Sequence, residues 1–69
     1  MRYIMTIVLN GEKVEIQSTS LNEVLSELGY SEAKVATAIN EEFVPETMRG
    51  GVVLSDGDSL EILAPMQGG

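Results

Sequence analysis

A histidine beside a serine, or a pair of cysteines at ligand spacing, would be the ordinary starting point for chemistry in a short chain, and this sequence has neither residue. Without cysteine there can be no disulfide, zinc–thiolate site or iron–sulfur cluster. Without histidine the commonest general base and nitrogen ligand are missing, so the serines and threonines have no imidazole to activate them. Carboxylates are the abundant reactive type. Glu23 and Glu27 lie one helical turn apart and could be read as a dyad, but their spacing fits a solvated helix face better. Asp56 and Asp58 flank Gly57 and could begin a calcium loop. The further oxygen ligands expected at regular spacing are missing, and a tight turn between strands is the better reading. Lys13 follows Gly11-Glu12 but lacks the glycine spacing and the Ser or Thr of a phosphate loop.

One other group remains, the carboxyl of Gly69. An α-carboxyl ionises near pH 3.3–3.7, with a value of about 3.5, so at neutral pH it is an anion able to attack an activated phosphate. Glycine at positions 68 and 69 carries no Cβ, so the backbone can enter a narrow channel and approach a nucleotide closely. Pro65 to Gly69 spans at most roughly 17 Å when extended. That reach would place Gly69 in another protein's active site while a folded body stays outside. Pro65 stops the preceding strand and stiffens the exit. Met66 offers an adaptable apolar contact, and Gln67 and Gly68 complete the candidate partner-binding segment. The other Gly-Gly pair, Gly50-Gly51, has no carboxyl of its own and reads as a loop.

These residues need a body to present them. Sixty-nine residues make one domain. Hydrophobic residues are 43 % of the chain and aromatics only 4 %, so the core must be aliphatic and an aromatic-lined cofactor pocket is hard to build. Eleven acidic residues against Arg2, Lys13, Lys34 and Arg49 give a net charge of −7. Such a surface repels phosphate backbones, which argues against nucleic-acid binding, and can steer the protein toward a basic partner. No segment has the length of a transmembrane span. The start does not read as a signal peptide, so a cytoplasmic protein without membrane attachment is expected.

Tyr3 to Leu9 and Val14 to Gln17 read as strands joined at Asn10-Gly11, the strongest short hairpin signal, because both central positions of a type I′ turn need positive φ. Ser20 with Glu23 matches a capping box. Leu21, Val24, Leu25 and Leu28 then form one apolar helical stripe, which Gly29 closes. Val35 to Ile39 reads as a strand, Phe43 to Pro45 as a short edge piece, Glu46 to Gly51 as a polar connection with a helical turn, Val52 to Leu54 as a brief strand, Ser55 to Asp58 as a turn and Leu60 to Leu63 as the last strand. Tyr3, Met5, Ile7 and Leu9 share one face of the first strand and Ile4 and Val8 the other; the pattern leaves open which is core and which is a candidate docking face. The expected class is α+β, a β-grasp domain over residues 1–64. It has a mixed sheet of four to five strands, one main helix packed across it, and a flexible tail at 65–69.

The ordered set of pieces resembles the ThiS family of ubiquitin-like sulfur carriers over nearly the whole chain. Asn10-Gly11-Glu12 matches the family's first turn, Ser20 through Gly29 its helix, Ala38-Ile39-Asn40 with Phe43-Val44-Pro45 its middle signature, and Asp56-Gly57-Asp58 its last turn. Glu61 through Gly69 is similar to a ThiS terminus almost residue for residue. The stretch through Met5 is longer than the family pattern. The resemblance implies a carrier, not an enzyme, that acts in thiazole formation for thiamine. It implies that Gly69 is adenylated by a ThiF-like partner using its own ATP and magnesium, so that this chain binds no cofactor. It further implies conversion to a thiocarboxylate by a cysteine-desulfurase relay and donation of sulfur to a ThiG-like thiazole synthase, the free carrier being a monomer. Three alternatives stay open: the molybdopterin-synthase small subunit, which shares the Gly-Gly end, a ubiquitin-like protein modifier, and a binding module with an inert tail.

Overall fold

The computed structural model of the chain describes residues 4–30 and 34–64. Apolar alternation and the Asn10-Gly11 signal produce β1 (Met5–Leu9) and β2 (Glu12–Ile16), paired antiparallel with Met5 opposite Ile16 and Leu9 opposite Glu12. Asn10 and Gly11 take φ of 49° and 88°, as a type I′ turn demands. The chain then enters α1 (Leu21–Glu27). Ser20 Oγ accepts the N–H of Glu23 at 3.2 Å, and Gly29 follows in the left-handed region at φ 94°. Only this half of the expected capping box forms among the described residues. Leu21, Val24 and Leu25 are buried and Leu28 packs half-buried beside them.

β3 (Ala36–Ile39) and β4 (Glu42–Val44) form a second hairpin. A 3-10 helix, η1 (Glu46–Gly51), follows, and β5 (Ser59–Leu63) is the last strand. The sheet order is β2-β1-β5-β3-β4, with β1 and β5 parallel and the other neighbours antiparallel, so the sheet is mixed and β5 is central. Sequence expectation and structure differ at Val52 to Leu54. These residues form no strand; Val53 makes an isolated bridge to Ser20, with the Leu21 N–H donating to Val52 O and the Leu54 N–H to Thr19 O. Their run of apolar side chains, two of them β-branched, is a strand signal, but among the described residues the entry to α1 is the pairing partner they reach.

The register decides which face of β1 is core. Met5 and Ile7 are buried, with Ile16, Val44, Leu60 and Ile62 of the same sheet and Leu21, Val24, Leu25 and Leu54 completing the core. Leu9 packs against this cluster, whereas Ile4 is exposed. Tyr3 lies outside the described residues. The core is aliphatic, as the scarcity of aromatics requires. Arg49 and Thr37 are the buried polar side chains among the described residues. Arg49 Nε donates to Thr37 Oγ1 at 3.2 Å and its terminal nitrogen to Val35 O, while the Thr37 hydroxyl donates to Val44 O at 3.0 Å. This network ties η1 to β3 and β4, satisfying groups that would otherwise be costly to bury.

Candidate carrier tail and the strand that presents it

The candidate reacting residue Gly69 and the segment Pro65, Met66, Gln67 and Gly68 lie outside the described residues. What the structure places is their root. Leu63 is the last residue of β5 and sits opposite Ala36 of β3. Two turn asparagines hold β5 from its flanks. Asn10 pairs with Ile62 as a backbone unit would: the Ile62 N–H donates to Asn10 Oδ1 at 2.8 Å and Asn10 Nδ2 donates to Ile62 O at 3.1 Å. On the other side, the Ser59 N–H donates to Asn40 Oδ1 at 3.0 Å and the Asn40 N–H to Ser59 O at 2.8 Å. Both asparagines occupy positive φ, 49° and 51°, which the short polar side chain tolerates. β5 is thus gripped on both edges up to the point where the tail leaves.

The face of the sheet away from α1 carries a run of apolar side chains toward that point. Phe43 of β4 lies opposite Ala38, and Ala38 neighbours Ala36, which faces Leu63. Phe43 and Leu63 are 68 % and 66 % exposed, so this face is uncovered. Strand alternation puts Val8 on the same side. Alternation in the sequence groups Ile4 and Val8 on this face of β1; Phe43 and Leu63 join it only because the register aligns them.

The other carboxylate candidates have structural roles. Glu27 is no partner in a dyad: its carboxylate accepts the N–H of Gln17 at 2.9 Å and of Ser18 at 3.0 Å, fastening the β2–α1 connection to the helix. Desolvation pushes the Glu27 carboxyl up, but those bonds and the Ser18 hydroxyl outweigh it and hold its pKa below the ordinary glutamate range. Asp56 Oδ1 accepts the N–H of Thr6 at 2.7 Å. Asp58 accepts the Ser55 N–H at 2.8 Å and Asn40 Nδ2 at 3.2 Å. The Ser55 to Asp58 turn is therefore a brace between β1, β3 and β5. No group of three or more His, Cys, Asp or Glu suited to a metal occurs among the described residues, and among them no helix is long and apolar enough to cross a membrane.

The model of the ThiS family matches residues 7–69. The chain belongs to the ThiS family. It is a sulfur carrier of thiamine biosynthesis. The sulfur carrier protein ThiS of Thermus thermophilus is 41 % identical to this ThiS-family chain over 61 residues, which is 88 % of this chain and 95 % of that one. The crystal structure of the thiamine biosynthesis protein ThiS from Geobacter metallireducens superposes with a TM-score of 0.79 at 28 % identity, covering 94 % of this chain and all of that one, and the fold is the β-grasp. A thiazole synthase of Paramagnetospirillum magneticum is 41 % identical over 66 residues; the chain spans 94 % of its own length there but only 20 % of that protein's. The match to ThiS includes the Gly68-Gly69 segment.

Proposed function

We propose that this ThiS-family carrier works through the carboxyl of Gly69. In the first step a carboxylate oxygen attacks the α-phosphorus of ATP held by a ThiF-like adenylating partner. An acyl–phosphate bond forms and pyrophosphate leaves. A persulfide from a cysteine-desulfurase relay then attacks the acyl carbon and AMP departs; a thiol cleaves the S–S bond of the resulting acyl disulfide, leaving a thiocarboxylate on Gly69 and a disulfide on the relay. That sulfur passes to a ThiG-like thiazole synthase. The chain is a co-substrate of these reactions and not their catalyst, and ATP and magnesium belong to the partner. The free carrier is a cytoplasmic monomer. The observation that carries this reading is the family match running through Gly69, joined to a β5 held at its tail end by Asn10 on one edge and by the pairing of Leu63 with Ala36 on the other.

Pro65, Met66, Gln67 and Gly68 thread the partner's channel in this reading, glycine providing the close approach. The uncovered run of Phe43, Ala38, Ala36 and Leu63 adjoins the tail and supplies the body contact that aims it. The similar segment inside a thiazole synthase supports the ThiG-like partner. An intact mass of the protein from cells making thiamine tests the mechanism, with one oxygen replaced by one sulfur expected. Failure to form an acyl-adenylate with the cognate ATP-using partner would overturn it.

A further inference from the structure

Beside the edge strand β4 lies a groove of about 400 Å³ whose lining includes Ile39, Glu42, Phe43, Val44, Pro45 and Met48. It wraps the open edge of β4 and meets the face that adjoins the tail at Phe43. Ile39 and Val44 share the core-facing side of the register, while Phe43 projects to the opposite side. β4 stands two strands away from β5, about 10 Å at the usual strand spacing. The groove's rim is acidic: Glu42 lines it, Glu41 and Glu46 adjoin it in the chain, all three are exposed, and no basic side chain is among its lining residues. Arg49, the nearest cation in sequence, is buried and turned to Val35 and Thr37.

We infer that this groove is a docking surface, independent of the tail, for an apolar side chain framed by Lys or Arg on the thiazole-forming partner. The inference rests on the carrier reading above. Charge complementarity sets the chemistry of the occupant, because an apolar floor beside exposed carboxylates favours an apolar group flanked by cations. Met48, 59 % exposed, supplies a floor that adapts to the inserted group. Pro45 has no N–H to donate, so an added strand could not extend along β4, and side chains are the occupant instead. The choice of partner follows from the thiazole synthase that contains a similar 66-residue segment in its own chain. A body kept beside the synthase while its tail is in use or withdrawn needs a contact that the tail does not make.

The test measures binding of the full chain to its purified cognate thiazole synthase. Gly68→Trp, whose indole obstructs tail entry, should weaken binding yet leave a measurable complex held by the body. In that background Glu42→Lys and Met48→Asp should each weaken binding at least about tenfold, and added salt should weaken the parent complex more than the Glu42→Lys complex. Both positions are exposed, and thermal melts check that each variant is folded. Loss of all binding in Gly68→Trp overturns the inference. So does unchanged binding by folded Glu42→Lys and Met48→Asp, or an effect of these variants on adenylation alone. Normal docking by the variants together with a thiocarboxylate on the parent chain sinks the groove and leaves the carrier mechanism standing. A groove-dependent complex with no thiocarboxylate does the reverse.

Discussion

Asn10 and Asn40 do two jobs with one side chain, closing a turn and extending the pairing of β5. At Asn10 the first job is visible in sequence, since Asn-Gly is a turn signal; the second depends, for both, on where β5 lands. Asn10→Ala keeps the turn position occupied but removes both bonds to Ile62, which should cost roughly 1–3 kcal/mol, read as a lower midpoint in urea unfolding. Glu41 is the contrary case. It sits at φ 72° as the second turn residue after Asn40, where glycine is the usual occupant. Glu41→Gly should raise stability by roughly 1 kcal/mol, the order of the left-handed penalty, and a fall in melting temperature would contradict that. At the tail, a methyl group in Gly69→Ala should slow acyl-adenylate formation by about tenfold or more, because small misplacements at a reacting centre are costly. Pyrophosphate release by the adenylating partner is the readout, and full activity would refute the close fit.

Among the elements, α1 owes its place to one stripe and two ends. Its seven residues are too few to persist alone, so burial of Leu21, Val24 and Leu25 holds it while Ser20 and Gly29 fix its length. Ser20→Ala should cost about 1 kcal/mol. The Glu27 carboxylate adds a pH dependence. Its folded pKa is lowered, so the unfolded chain binds the extra proton and the stabilisation is present above the unfolded value, about 4.3. It is lost as pH falls from there through the lower folded value. The stability gap between wild type and Glu27→Gln should therefore hold steady near neutrality and narrow below about pH 4.3; a gap that widens on acidification would show the sign to be wrong. The Glu46–Gly51 segment shows an element the pattern only hinted at. A helical turn was expected there, and η1 is what forms. Its Arg49, which the sequence presents as one of four surface cations, is instead a buried tie to Thr37 and Val35. No local signal marks that burial, because it arises from the packing of η1 under β3 and β4.

For the molecule as a whole, the sequence determined the fold class. Period-two apolar runs, one 3.6-period stripe and Asn-Gly, Ser and Gly punctuation leave few arrangements for so short a chain, and the β-grasp is the one observed. It also determined the aliphatic core, the absence of thiol and imidazole chemistry, and the Gly68-Gly69 segment that the ThiS match includes. Those are properties of residue type and near-neighbour spacing. Only the tertiary structure decided which side of β1 is buried, because alternation gives two equivalent faces until α1 covers one. Only it placed Phe43 in line with Leu63, joined Asn10 to Ile62 across 52 positions, and denied Val52 to Leu54 a strand partner. Each of these depends on register between segments far apart in the chain, and a local pattern holds no information about register until long-range pairing has closed the sheet.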